Sequence, residues 1–269
     1  LITVGVVGHC TVPNHNFSGD MMMKKTLIAT AMLATTAAAQ AEISGNVSMA
    51  SDYIFRGISQ TDNQMAVQGG FDYEHESGAY IGTWASNVDS SFFDNGRDPQ
   101  IELDLYAGYS GEVGAFGYDV GFIRYEYPSA DSVDTNEWYV TGSYSTDNYG
   151  DFSLSANYSP KLQFILSDQS AWYYKAAYET TLPWYEIGLS AHVGYSIGDA
   201  FDVSAFSTDS GLADSYTDWS IGVSKSVYGV DLGLTYTDLT DIKFPTAPGS
   251  KCTSDWCDSK VVFSVSKSL

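Results

Sequence analysis

Segment after segment of this chain changes from polar to apolar and back with every residue. IELDLYAGYS, from Ile101 to Ser110, is the plainest case: Glu102 and Asp104 alternate with Ile101, Leu103 and Leu105. An extended strand sends successive side chains to opposite faces, so this segment has one acidic face and one apolar face. A period of two is wrong for an amphipathic helix, whose apolar residues recur at three and four. Two architectures remain. In a soluble sheet the leucines would face a core, and in a membrane barrel they would face lipid while the carboxylates line a lumen.

Alternation bounded by turn residues predicts about twelve strands, near 44–60, 64–76, 79–88, 100–111, 115–127, 136–147, 151–159, 170–181, 184–198, 216–226, 229–238 and 259–269. Composition agrees: 20 Tyr and 13 Phe suit strands, and 25 Gly suit turns and crowded strand positions.

The connectors separate the two architectures. ESG, EVGA, DNYG, LPW and VYG are short, and they interleave with DSSFFDNGRDP, PSADSVDTN, SPKLQFILSDQ, DAFDVSAFSTDSGLADS and TDIKFPTAPGSKCTSDWCD. Only the first hairpin, read with a tight turn at Thr61 to Asn63, breaks the rhythm. Short turns on one rim and long loops on the other are the habit of outer-membrane barrels, and a sandwich has no reason to sort its loops this way. Aromatics gather at strand ends, as in Trp172-Tyr173-Tyr174 and Trp184-Tyr185, where an interfacial girdle would sit. The expected fold is an all-β transmembrane, antiparallel, up-and-down barrel of about 12 strands, with short periplasmic turns and longer extracellular loops.

The ends fit that reading. MMMKKTLIATAMLATTAAAQAE has a basic start, a short apolar stretch and an Ala39-Gln40-Ala41 cleavage pattern. Residues 1–20 are therefore expected to be a mis-assigned upstream extension, with the start at Met21, Met22 or Met23. Residues 21–41 are expected to be a secretory signal peptide and 42–269 the barrel. The closing KVVFSVSKSL alternates Val261, Phe263, Val265 and Leu269 with small polar residues, a terminal strand of the kind barrel-assembly machinery reads.

Twelve Lys and Arg against 33 Asp and Glu leave a formal charge of −21, which argues against nucleic acid as a partner. Cys252 and Cys257 are close enough to form a small disulfide loop, worth about 2 kcal/mol in the chain-entropy model. Two free thiols are the alternative, and no His or further Cys completes a tetrahedral metal set there.

At Ser51-Asp52-Tyr53-Ile54-Phe55-Arg56-Gly57-Ile58-Ser59-Gln60, followed by Gln68-Gly69-Gly70-Phe71-Asp72-Tyr73 and Gly82-Thr83-Trp84-Ala85-Ser86-Asn87, the chain resembles the proteobacterial TorF-type porin family. The resemblance covers essentially all of 42–269. It implies an outer-membrane barrel of a Gram-negative bacterium and a pore, and it carries over no substrate and no functional residue.

By parity, Asp52, Arg56, Asp72, Glu74, Glu102, Asp104, Lys175, Glu179, Glu186 and His192 face the lumen, and so do Glu137 and Asp231. With a turn at 61–63, Arg56 would face Gln68 and Asp52 would face Asp72; a slip of two pairs would set Arg56 opposite Asp72. A buried guanidinium needs carboxylates near it. Arg56 and its neighbours then form either a constriction that governs ion selectivity or an ion-pair network that holds the wall. Acids outnumber bases, so an open lumen would favour cations.

The expected function is a channel for small cationic or neutral solutes, with outer-membrane lipid and the assembly machinery as partners and no cofactor. A non-conducting barrel acting as a surface receptor or loop platform is the alternative. A lipase-type enzyme is disfavoured: 42–269 holds only His75 and His192, Ser190 and Ser196 share the His192 face, and no G-x-S-x-G elbow exists. The acidic loops lack EF-hand spacing.

Overall fold

The computed structural model describes residues 42–89, 99–128, 130–146, 148–163, 167–183, 185–201, 215–240 and 254–269. The expected upstream extension (1–20), the expected signal peptide (21–41) and Cys252 lie outside them.

The strands are β1 (Glu42–Ala50), β2 (Ile54–Phe55), β3 (Ile58–Ser59), β4 (Ala66–Glu74), β5 (Ala79–Asn87), β6 (Ile101–Val113) and β7 (Phe116–Glu126). They continue with β8 (Thr135–Thr146), β9 (Gly150–Ser159), β10 (Ala171–Leu182), β11 (Ile187–Ile197), β12 (Ser215–Val227), β13 (Val230–Thr240) and β14 (Lys260–Ser268). Between β13 and β14, one helical turn, α1, covers Ser254–Cys257. Strand β1 and strands β4 to β14 form one closed barrel in which each strand pairs with its neighbours in sequence. Closure is made by β1 on β14, antiparallel, with Asn46 opposite Ser268 and Ala50 opposite Ser264. This is the expected twelve-strand wall.

The faces sort as the alternation requires. Outside, Ile43 is 74% exposed, Leu154 69% and Phe71 63%, an apolar surface that only lipid would cover. Outward aromatics pair across strands in two bands. Near the short turns, Phe116 meets Tyr144 at 4.8 Å and Phe152 meets Tyr178 at 4.8 Å. Toward the long loops, Tyr158 meets Trp172 at 4.7 Å and Trp219 meets Tyr236 at 5.4 Å. Among the described residues no helix is long and apolar enough to cross a membrane, and this wall would cross with strands.

Inside, several tyrosines lie flat along the wall over glycines of the neighbouring strand. Tyr80 is in register with Gly108, and Tyr139 with Gly121. A Cβ at Gly108 would lie 2.3 Å from the Tyr80 Oη, and one at Gly121 would lie 2.2 Å from the Tyr139 Oη. Only glycine lets those rings lie down.

The short turns keep their predicted places. Val227 pairs with Val230 around Tyr228 and Gly229, both at positive φ (55° and 74°), the twist a two-residue hairpin needs. The departure lies at the first connection. The predicted strand 44–60 ends at Ala50, and Ala50 pairs directly with Ala66. Residues 51–65 leave the wall, so the turn at 61–63 is not a hairpin turn of the barrel. The first connection is a long one like its neighbours on that rim, and the alternation of short and long connectors has no exception.

Candidate functional site

Residues 51–65 fold into the lumen as a plug. Strands β2 and β3 make a miniature hairpin, with Phe55 opposite Ile58 and Arg56-Gly57 as its turn. Both turn residues have positive φ (48° and 83°), which glycine adopts freely and arginine does not. The surroundings hold Arg56 there. Its Nη2 lies 2.7 Å from Glu137 Oε2 on β8, and its guanidinium sits 4.1 Å from the Tyr173 ring centroid and 4.7 Å from that of Phe55. Arg56 and Glu137 are 7% and 2% exposed.

The plug meets walls on opposite sides of the barrel. Tyr53 donates to Glu102 Oε1 at 2.8 Å and packs edge-on against Trp84 with ring centroids 5.4 Å apart. Phe55 packs on Tyr125. At the tip, a Cβ on Gly57 would lie 2.9 Å from Leu239 and 3.0 Å from Asp218, so the backbone itself touches β13 and β12. Ile58 joins an apolar cluster with Leu162, Phe201, Tyr216 and Trp256 from the long-loop rim. Asp62 accepts from the Trp256 indole, and Asn63 Oδ1 accepts from Lys260 Nζ at 2.6 Å.

Asp52 shapes the plug from within. Its Oδ1 accepts from Ser59 Oγ at 2.6 Å and Thr61 Oγ1 at 2.9 Å, and its Oδ2 lies 3.5 Å from Lys260 Nζ. Burial pushes this carboxyl up from the usual aspartate range, and the two hydroxyls pull it part of the way back.

The sequence-derived registers for Asp52 and Arg56 therefore fail. Gln68 lies opposite Ser48, and Asp72 lies opposite Ser44. Neither Asp52 nor Arg56 stands on the wall, because alternation continues through a segment that folds back on itself. Arg56 does find a carboxylate, but it is that of Glu137, which also accepts from Tyr125 at 3.3 Å, Asn157 at 2.8 Å and Ser159 at 3.1 Å.

The remaining predicted positions divide by place. Glu102 and Asp104 are buried on the lumen face of β6, and Glu102 accepts from Tyr53 and Tyr127, each at 2.8 Å. Asp72 accepts from Tyr106 at 2.5 Å. Glu74 ends β4 on the same face, in register with Tyr80. Lys175 and Glu179 share the lumen face of β10, half-buried and exposed respectively. Glu186 is a correction: it sits exposed at positive φ (52°) in the turn before β11, where strand parity has no meaning. Tyr173 is another. It was counted toward the aromatic girdle, yet it faces inward against Arg56, while Trp172 and Tyr174 face out. Cys257 ends α1 and packs against the cluster around Trp256.

His192 lies on the lumen face of β11, but neither Ser190 nor Ser196 is its partner. Its Nε2 meets Asp218 Oδ1 at 2.9 Å and its Nδ1 meets Ser220 Oγ at 2.8 Å, both on β12. Tyr173 adds a hydrogen bond to Asp218 at 3.2 Å. Glu137 is one of the lumen carboxylates that strand parity predicts, whereas Asp218, Ser220 and Tyr127 are site residues that the sequence does not single out. They come from strands distant in the chain, and only the barrel register brings them to one level.

Residues 34–269 match the Gcw_chp family, described as bacterial protein of unknown function. No curated protein matches significantly. Among solved structures, the NanC porin is 6% identical, with a TM-score of 0.51, covering 84% of this chain and 98% of its own. The KdgM porin is 8% identical, with a TM-score of 0.49, covering 86% of this chain and 98% of its own. The closed barrel is thus similar in fold to Gram-negative outer-membrane porins, and the apolar belt suits that membrane. With the match running through the whole described barrel, the chain belongs to the Gcw_chp family.

Proposed function

We propose that this protein is an outer-membrane channel for small cationic or neutral solutes, and that residues 51–65 set its constriction. The observation that carries this reading is the plug itself: a polar segment tipped by Arg56, held inside a barrel whose inner wall is hydroxyls, carboxylates and tyrosines. A barrel that only anchored loops could fill its interior with apolar side chains. The acidic balance supports a preference for cations. Asp119 and Asp218 add to the predicted lumen acids, which include Glu137 and Asp231, and Lys260 adds a base. We also read the chain as a TorF-type member of its family, processed before Glu42, recognised by the assembly machinery through β14 and carrying a Cys252–Cys257 disulfide.

The test is single-channel recording of the refolded residues 42–269 in a planar bilayer under a salt gradient. Discrete steps with a cation-leaning reversal potential are expected. Silence from a barrel shown independently to be folded and inserted would refute the channel.

A second reading is favoured by one observation, that the plug touches opposite walls. A barrel sealed at that level would be a surface receptor, and deleting its long loops would abolish partner binding. The Ser220–His192–Asp218 chain does not move the reading toward an enzyme, because Ser220 is only 3% exposed.

A further inference from the structure

Among the described residues, the bases that face the lumen are engaged, with one exception. Arg56 is paired with Glu137, Lys260 bonds Asn63 and lies 3.5 Å from Asp52, and His192 is held by Asp218 and Ser220. Lys175 makes neither a hydrogen bond nor an ion pair with any described residue. It is half-buried on β10, one lumen position nearer the short turns than Tyr173, where the plug touches this strand.

Glu179 follows Lys175 on the same face, exposed and likewise without an ion pair among the described residues. Four strand residues span roughly 13 Å, which keeps the two charges apart. Glu179 stands directly opposite Asp151 on β9, a like-charge pair that the wall supplies with no cation. Between the two ends the wall is low. Ala177 is the intervening lumen residue, with Ser153 opposite it on β9 and His192 on β11, both of whose ring nitrogens are engaged on β12. Ser155 flanks Lys175, and Ser190 flanks Glu179. The result is a strip open to the lumen, with an ammonium at one end, two carboxylates at the other and short side chains between.

We propose that this strip binds small organic zwitterions, with the solute carboxylate on Lys175 and its ammonium between Glu179 and Asp151. The inference deepens the channel reading above and rests on it, naming a net-neutral solute that carries both charges. A simple cation is repelled at Lys175 and a simple anion at the acids, whereas a molecule with both charges in this order gains at both ends. Each end offers a charge-assisted contact, stronger than a neutral hydrogen bond. The gap over Ala177 suits a linear skeleton of a few carbons, which lets the two solute charges reach opposite ends of the strip.

The test compares γ-aminobutyrate with butyrate and butylammonium, each of which keeps one of its two charges. Thermal unfolding of the refolded barrel in detergent, at constant ionic strength, reads binding without requiring conduction. γ-Aminobutyrate is expected to raise the unfolding temperature saturably, at a concentration several-fold lower than either analogue needs. Lys175→Met should remove its advantage over butylammonium, and Glu179→Gln with Asp151→Asn its advantage over butyrate. An equal response of the wild type to all three probes would overturn the proposal, whatever the bilayer shows and even if the variants fail to refold. Lys175 would then be only a counter-charge to the acids around it. A silent bilayer beside an intact preference for γ-aminobutyrate would refute the channel and leave the binding strip standing.

Discussion

Arg56 Nη2 and Glu137 Oε2 are 2.7 Å apart, joining the tip of the plug to the far wall of the barrel. The two partners do not depend on each other equally. Glu137 keeps Tyr125, Asn157 and Ser159 as donors if Arg56 is lost. Arg56 has ring faces and no second salt-bridge acid among the described residues. Breaking a buried pair leaves an uncompensated charge and typically costs about 3–5 kcal/mol. Glu137→Ala is therefore expected at the upper end of that range and Arg56→Ala well below it. The double variant should fall below the sum of the two. Urea unfolding of the refolded barrel measures all three.

The plug can be removed while every strand of the wall keeps its neighbours, at the cost of the Ser51–Phe263 pair and the plug's bonds to Glu102 and Glu137. Ala50 already pairs with Ala66, so an Asn-Gly link in place of residues 51–65 would close an ordinary hairpin. The shortened barrel is expected to fold and insert. Its single-channel conductance should exceed that of the parent several-fold, because the segment crossing the lumen is gone. Conductance equal to the parent's would mean that the plug does not limit flow.

Why the wall was legible and the plug was not is visible in these same residues. Strand faces follow a local rule, a period of two, and the short turns mark where each strand stops. Ile101 to Ser110 thus divide into an apolar and an acidic face from ten residues, and the sorting of short and long connectors assigns those faces to lipid and lumen. The segment 51–65 keeps a similar alternation, and nothing local says that Ala50 is the last wall residue. The departure is set by contacts at distance: Tyr53 with Glu102, Arg56 with Glu137, and Asn63 with Lys260 nearly 200 positions away. The long-connector rhythm did hold the clue, since a tight turn at 61–63 would have been its one exception.

The flat tyrosines make a prediction about small residues. Gly121 lies under Tyr139, and a methyl group there would fall 2.2 Å from the phenol oxygen. Tyr139 also hydrogen-bonds to Tyr80, which in turn donates to Asp119 at 2.6 Å, so the ring is not free to lift away. Gly121→Ala is expected to destabilise the barrel by about 1–3 kcal/mol, the usual cost of overpacking. Tyr139→Ala in the same background should restore part of the loss. Loss of the folded, fast-migrating band on unheated gels at lower urea would report it.

The chain Ser220–His192–Asp218 has the residue types of an activated serine, with the ring turned so that Nδ1 faces the serine and Nε2 the acid. An ionised Asp218 would accept from His192 Nε2, leaving Nδ1 to accept the Ser220 hydroxyl. The environment argues the other way. His192 and Ser220 are directly opposed wall residues, and the surrounding strands are paired along both edges in the barrel ladder. An acyl-transfer site needs free donors where an oxyanion forms, and a ladder has already used its N–H groups. Ser220 is accordingly expected to resist labelling by fluorophosphonate probes, while Ser220→Ala lowers thermal stability by leaving His192 without its donor. Stoichiometric labelling of the wild type that disappears in Ser220→Ala would make the lumen a catalytic site and displace the channel as the main function.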